Sequence, residues 1–149
     1  MKKRDWALVI GLVFATWAID QLTKVWALNN LNNLEFYGPL GLVLHRNPGA
    51  ILGAFSHLPP LLRVVCLSTG GAFLIFIYGA FQYFIPKRFM ILRIGMSLLL
   101  GGILGNVSDR IMAGSVVDFL VLGNQKYFSP AFNFADAIQW VGYGRVVLA

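Results

Sequence analysis

The sequence predicts an α-helical membrane protein with four transmembrane helices, a small interfacial β-rich region and a short interfacial helix in the outer loops. The first observation is composition: 58% of residues are hydrophobic and 12% are charged, against about 25% charged in soluble domains. The second is a mean hydropathy of +0.71. The third is spacing, since four apolar stretches are separated by polar or turn-rich segments. We expect a single membrane domain over residues 1–149.

The first predicted span covers residues 6–28 and follows a basic start, Lys2-Lys3-Arg4. A cleaved signal peptide would begin in the same way, but a convincing small-residue cleavage site is missing, so we expect an uncleaved span. Asp20 and Lys24 lie near its far end, four residues apart, and can therefore pair on one helix face. This pair either marks the interfacial end of the span or holds that helix end next to a site.

The predicted outer loop 29–63 carries asparagines and Gly-Pro and Pro-Pro turn signals, which interrupt it too often for a span. Residues 40–45 are short, apolar and bounded by turn signals, which predicts a strand. Residues 47–50 predict a turn, and residues 51–57 predict the interfacial helix. The loop is too apolar to extend freely into water, so we expect it to lie against the bilayer or over a membrane cavity.

The second and third spans are predicted at residues 64–85 and 89–108. Residues 64–85 carry no charge, whereas the third span contains Arg93, whose side chain we expect to reach the near interface. The third span ends in glycines followed by a polar cluster, at residues 101–110. A second outer loop, 109–131, contains a predicted strand at 115–122. The last span, 132–149, is short and includes Arg145.

The distribution of the twelve basic residues predicts the orientation of the chain. Cationic residues favour the cytoplasmic side when they lie in short segments flanking the spans. One side would carry Lys2, Lys3, Arg4, Lys87, Arg88, Arg93 and Arg145, all in short segments, and the other Lys24, Arg46, Arg63, Arg110 and Lys126. We therefore expect both termini in the cytoplasm and both long loops outside. Because the cations are dispersed, no nucleic-acid partner is expected.

Metal, cofactor and disulfide chemistry find little support in the sequence. Cys66 is the single cysteine and lies within an apolar run, so an intrachain disulfide is excluded. The two histidines, His45 and His57, both fall in the first outer loop and form no metal-ligand spacing with cysteine. We expect no metal site and no cofactor.

Asp118 and Asp136 are the candidate catalytic residues, because ionisable groups at a membrane boundary are costly unless they have a role. If the fold brings them together, the two carboxylates should share one proton. Such a pair suits amide hydrolysis, in which one member activates water and the other protonates the carbonyl oxygen. The alternative is structural: Asp136 or Asn133 would cap the last helix and Asp118 would pair with Arg110. Spacing alone leaves both interpretations open.

Five segments resemble the lipoprotein signal peptidases (signal peptidase II), a family of bacterial four-span aspartyl peptidases, and they occur in the order found in that family. The segments are DQLTK at 20–24, RNPGA at 46–50 with FS at 55–56, GGILGNVSDR at 101–110, VVDF at 116–119 and FNFAD at 132–136. One such segment would be weak support, whereas five in order are specific. The chain departs from the family in the residues 51–55 after RNPGA and in its short last span.

The resemblance implies an endopeptidase of the bacterial inner membrane that cuts prolipoproteins just before a diacylglyceryl-modified cysteine. It implies that Asp118 and Asp136 are the catalytic pair. The matching supporting positions are Asp20, Lys24, Asn47, Gly102, Asn106, Arg110, Asn133 and Ala135. Among these, Asn106 and Asn133 could orient the carboxylates or the scissile amide, Arg110 could hold a loop carbonyl or the substrate backbone, and Asn47 could hydrogen-bond the substrate.

The resemblance also implies partners. A lipid-modified substrate would enter sideways from the membrane lipid, and the cyclic peptide globomycin would bind the same cleft as an inhibitor. We expect a monomer with its site on the outer side. Other classes of function have less support. A serine peptidase using Ser56 or Ser115 with Lys24, or a cysteine peptidase using Cys66, lacks a motif. An ion pathway would distribute its carboxylates across the membrane, and a scaffold would leave the polar cluster without a purpose.

Overall fold

The protein folds into four helices and one three-stranded sheet, in a computed structural model that describes residues 2–48 and 57–149. The elements are, in chain order, α1 Lys3–Asn30, β1 Glu35–Tyr37, β2 Leu40–Asn47, α2 Pro60–Phe84, α3 Met90–Ala113, β3 Val116–Leu122 and α4 Phe134–Val147. The helices predicted at the four apolar stretches are thus confirmed, as are the strands predicted at 40–45 and 115–122. Apart from His57, the predicted interfacial helix 51–57 lies outside the described residues, as do positions 49 and 50 of the predicted turn.

Three of these helices, α1, α2 and α3, are long and apolar enough to cross a membrane. Helix α4 has 14 residues and is therefore about 21 Å long, shorter than a hydrocarbon core of about 30 Å. The predicted fourth span, 132–149, is shorter than expected because Phe132 bonds to β3 and Asn133 caps the helix. Four complete crossings therefore stay a prediction.

Helix α3 is the centre of the bundle and packs against α1, α2 and α4. Glycines on two of its faces permit this close packing. A Cβ atom added at Gly101 would lie 2.6 Å from the Thr16 side chain of α1, and one added at Gly102 would lie 2.7 Å from the Ala135 carbonyl oxygen of α4. The glycine-rich segment at the end of this span therefore permits close contact with two neighbouring helices at once.

Among residues 2–48 and 57–149, helix α2 packs only against α3, and most of its surface is apolar and exposed. Phe76 and Phe84, for example, are 70% and 78% exposed. A helix that is hydrophobic all round and exposed on most sides is suited to contact with lipid. Helix α2 therefore forms an outer wall of the bundle.

Arg93 joins α2 to α3, contrary to the expectation that its side chain reaches the interface. The guanidinium is buried, and it donates hydrogen bonds to the main-chain oxygen of Gln82 (2.7 Å), to the Gln82 side chain (3.0 Å) and to the Ile85 carbonyl. Carbonyls at a helix C-terminus lack intrahelical donors. Arg93 therefore caps the end of α2 instead of extending outward.

The sheet has the order β1-β2-β3, with both pairs antiparallel. Its register places Asn47 opposite Val116 and His45 opposite Asp118. Gly114 ends α3 with φ of 73°, a left-handed conformation that favours glycine, and allows the chain to turn at once into β3. The end of β2 therefore lies beside the start of β3.

The segment after β3 returns to pair with it. The main-chain N–H of Phe132 donates to the Leu120 carbonyl, and the N–H of Leu120 donates to the Phe132 carbonyl, both at 2.8 Å. Helix α4 begins two residues later. This bridge places the first turn of α4 next to the strand that carries Asp118.

Candidate active site

Asp118 and Asp136 both contact Asn133, a fully buried residue. The Asn133 side-chain Nδ2 donates to Asp118 Oδ1 at 2.9 Å, and the Asn133 main-chain N–H donates to Asp136 Oδ2 at 3.2 Å. The two aspartates that the sequence singled out are therefore brought to one residue by the bridge between β3 and the start of α4.

Asn133 is also the N-cap of α4, as one of the structural alternatives predicted. Its Oδ1 accepts the main-chain N–H of Asp136 at 3.0 Å, and Asp136 in turn accepts the N–H of Asn133. This reciprocal pattern is a capping box, and a carboxylate is stabilised near the positive end of the helix dipole. The capping role therefore holds the Asp136 carboxylate at a defined place without occupying both of its oxygens.

Asn106, on α3, holds the second oxygen of Asp136. Its Nδ2 donates to Asp136 Oδ1 at 2.8 Å, while its Oδ1 accepts from Lys24 Nζ at 3.1 Å and from Asn133 Nδ2 at 3.0 Å. Because Lys24 can only donate, the oxygen of the amide must face it. The nitrogen therefore faces Asp136, and the amide has one possible orientation.

Lys24 lies in a buried cluster of charged side chains that is linked to Asp136 through Asn106. Its Nζ lies 2.6 Å from Asp20 Oδ2, which confirms the predicted pair, and 2.9 Å from Asp109 Oδ2. Asp20 Oδ1 also accepts the main-chain N–H of Ala135 at 2.9 Å. Buried charges require partners of this kind to offset their loss of hydration. The cluster therefore ties α1 to α3 and to the first turn of α4.

Asp109 and Gln21 belong to this cluster, although neither was among the site residues inferred from the sequence. Asp109 Oδ2 accepts the main-chain N–H of Val117 at 3.2 Å, one residue before Asp118, and Asp109 Oδ1 accepts from Gln21 Nε2 at 3.0 Å. Acidic residues number only six in this chain, and that scarcity was a signal for Asp109 as well. Asp109 therefore anchors the start of the strand that carries Asp118.

The remaining supporting positions surround the pair. Asn47 Nδ2 donates to Asp118 Oδ2 at 3.2 Å. Its side chain therefore contacts the carboxylate, whereas the sequence suggested a hydrogen bond to the substrate. Arg110 Nη1 donates to the Asn106 carbonyl at 3.2 Å. Gly102 and Ala135 meet at the contact between α3 and α4. The ten site residues inferred from the sequence thus lie in one region.

The pKa of the Asp118 carboxyl is raised from 3.8 to about 6, mainly because the group is buried and in smaller part because of the nearby charge of Asp136. The hydrogen bonds from Asn47 and Asn133 oppose this rise because they stabilise the ionised form. Asp118 is 3% exposed, whereas Asp136 is partly exposed. The two carboxyls therefore occupy different environments.

A cavity of about 160 Å³ lies beside Asp136. Its lining combines apolar and polar side chains from α3 and α4, namely Ile103, Asn106, Val107, Arg110, Asp136 and Gln139. A larger cavity, of about 340 Å³, lies between the end of α1 and β1 and is lined by none of the ten site residues. Residues 2–48 and 57–149 contain no group of three or more metal-ligating side chains. Of these two cavities, the smaller is therefore the one that adjoins the candidate site.

The fold resembles those of solved bacterial membrane enzymes. One, determined by the in meso method at 2.3 Å resolution, superposes with a TM-score of 0.75 at 25% identity, covering 95% of this chain and 86% of the other. A second, determined by the same method at 1.9 Å, gives a TM-score of 0.68 at 27% identity over 95% and 91% of the two chains.

Sequence relatives agree with this likeness. The chain is 31% identical to the lipoprotein signal peptidase of Wigglesworthia glossinidia brevipalpis, over 89% of this chain and 86% of the relative. It is 32% identical to the lipoprotein signal peptidase of Aquifex aeolicus (strain VF5), over 99% and 87%. The family model described as signal peptidase (SPase) II matches residues 12–149. With the fold, the clustered polar residues and these relatives in agreement, the chain belongs to the signal peptidase II family of lipoprotein signal peptidases.

Proposed function

We propose that the protein is an aspartic endopeptidase that removes the signal peptide of a prolipoprotein just before a diacylglyceryl-modified cysteine. Membership of the lipoprotein signal peptidase family supports a peptidase that cleaves prolipoprotein signal peptides. The observation that carries the aspartic mechanism is the contact of Asp118 and Asp136 with the same residue, Asn133. A pair of carboxyls in unlike environments is the arrangement that general acid and base chemistry needs.

In the proposed mechanism Asp118 is the protonated member of the pair, in keeping with its raised pKa of about 6. Asp136 is the ionised member, held by donors from Asn106 and Asn133. Asp136 takes a proton from a water molecule as the water oxygen attacks the scissile carbonyl, and Asp118 gives its proton to the carbonyl oxygen. When the tetrahedral intermediate collapses, Asp136 protonates the leaving amine of the cysteine and Asp118 recovers its proton. Both carboxyls thus return to their starting states.

The proposed setting is the cytoplasmic membrane of a bacterium, with both termini in the cytoplasm and the site at the outer edge. The basic residues in the short segments flanking the helices support this orientation. The substrate would enter sideways from the lipid, and globomycin would compete for the cleft. In this proposal the protein acts as a monomer, since the site residues come from one chain.

The test is cleavage of a lipid-modified prolipoprotein by purified protein, compared with the Asp118→Asn and Asp136→Asn variants. Each variant should lose at least about a thousandfold in kcat, since a nitrogen in place of a carboxylate oxygen removes the acid or the base. Cys66→Ala is the matched control and should retain activity, because Cys66 is exposed on α2, a helix that carries none of the ten site residues.

Two outcomes would contradict different parts of the proposal. Normal cleavage by either aspartate variant would exclude the paired mechanism. Equal cleavage of the unlipidated precursor would exclude the requirement for the diacylglyceryl group, while leaving the peptidase chemistry in place.

A further inference from the structure

Gln139 lies one turn beyond Asp136 on α4 and lines the same cavity of about 160 Å³. Residues three apart on a helix share a face, so the cavity receives both side chains from α4. The stem of Gln139 packs on α3, where a Cβ atom added at Gly102 would lie 2.8 Å from Gln139 Cγ. The contact that Gly102 permits therefore holds Gln139 at the wall of the cavity.

The amide of Gln139 differs from those of the other glutamines on helices. Gln21 donates to the Gly105 carbonyl at 3.2 Å and to Asp109, and Gln82 donates to the Arg93 carbonyl at 3.2 Å. Within residues 2–48 and 57–149, the Gln139 side chain makes no hydrogen bond. The Gln139 amide therefore remains available to a ligand in the cavity.

The position of Gln139 identifies which part of a substrate would meet it. Three residues along a helix correspond to about 4.5 Å, so Gln139 lies about that far from Asp136 towards the membrane interior in the proposed orientation. A signal peptide runs from the scissile bond in that direction. Its last residues must be extended to present the scissile carbonyl, and their main-chain N–H and C=O groups then lack partners in an apolar setting.

We propose that Gln139 binds the extended main chain of the signal-peptide residues immediately before the scissile bond, and so determines substrate affinity. The neutral amide offers one acceptor oxygen and a donor nitrogen, which match a peptide group. Ile103 and Val107 supply apolar walls around it. This inference rests on the proposed function, because it assigns a direction to the peptide that Asp118 and Asp136 would cut. Gln139 acts as a binding residue and takes no part in proton transfer.

The test is Gln139→Met, which keeps the side-chain length and removes both hydrogen-bonding groups. KM for the lipid-modified substrate should rise roughly three- to tenfold, as expected for one lost hydrogen bond, with kcat changed less than about twofold. The matched control is Gln125→Met, on an exposed loop, which should leave both constants unchanged. Gln139→Asn, whose amide is one methylene shorter, should fall between the wild-type protein and Gln139→Met.

A second measurement separates direct binding from a change in folding. Substrates are prepared with an ester in place of one amide at each residue before the scissile bond. One ester should raise KM for the wild-type protein and have no further effect on Gln139→Met, or on Gln139→Leu if the Met variant does not fold. A wild-type KM for Gln139→Met, or an equal ester effect in both proteins, would overturn the inference. Failure of the proposed function would appear separately, as cleavage by Asp118→Asn or none by the wild-type protein.

Discussion

Asparagine, a neutral residue, supplies three side-chain donors and one main-chain donor to the carboxylates of Asp118 and Asp136. Asn47 and Asn133 donate to Asp118, and Asn106 donates to Asp136. A lysine or arginine at the same distance would strongly favour the ionised carboxylate, whereas an amide favours it less. Lys24 instead contacts the Asn106 oxygen. The amide residues thus orient both carboxyls, and the pKa of Asp118 remains raised despite its two amide donors.

This arrangement predicts how a change at Asn47 affects the pH dependence of cleavage. The Asn47 hydrogen bond lowers the pKa of Asp118, so Asn47→Ala should raise that pKa above its value of about 6. Because the proposed mechanism needs Asp118 protonated, activity falls as pH rises through this pKa. The falling limb of kcat/KM, measured between pH 5 and 9, should therefore move to higher pH in Asn47→Ala.

The control is Asn30→Ala at the end of α1, where the Asn30 side chain bonds only to the Trp26 carbonyl among the described residues. That variant should keep the wild-type profile. Movement of the falling limb to lower pH in Asn47→Ala would mean that cleavage does not require protonated Asp118.

At the scale of elements, the contact between α3 and α4 sets the position of Asp136. A Cβ atom at Gly102 would lie 2.7 Å from the Ala135 carbonyl oxygen, which is main chain and cannot rotate away. We expect Gly102→Ala to push α4 outward, to lower the free energy of unfolding by about 1–3 kcal/mol and to reduce cleavage at least tenfold. Thermal unfolding and initial cleavage rates measure the two effects.

Gly79→Ala is the matched control for this substitution, since a Cβ atom there meets nothing within 4 Å. It lies within α2, where alanine favours the helix more than glycine does, so neither activity nor stability should fall. Full activity in Gly102→Ala would show that the spacing of α3 and α4 does not position Asp136.

The sequence predicted the helices because apolar runs identify them without knowledge of their neighbours. It placed the end of α3 at residue 108, whereas the helix continues to Ala113 and stops at Gly114. The polar residues at 106–110 were interpreted as the end of a span, but several of them point into a buried network. The partners of Asn47 and Asp109 depend on the β2–β3 register and on helix spacing. Local patterns do not contain that information.

The whole molecule combines three helices of membrane length with a shorter one, and this raises the question of where α4 ends. In the proposed orientation its C-terminal end faces the cytoplasm. Single cysteines introduced into Cys66→Ala protein provide the test, by Gln125→Cys and Leu148→Cys, since Leu148 is 80% exposed. A membrane-impermeant maleimide should label position 125 in spheroplasts and label position 148 only after permeabilisation. Labelling of position 148 in intact spheroplasts would show that α4 ends on the outer side.

The bond from Ala135 to Asp20 has a consequence for the timing of synthesis. Asp20 belongs to α1, and its partner Ala135 belongs to α4, which is synthesised later. Asp136 reaches its place beside Asp118 only when α4 docks against α1 and α3. A nascent chain therefore carries an incomplete site until α4 has docked. Under the proposed mechanism, peptidase activity would therefore begin only with this late folding step.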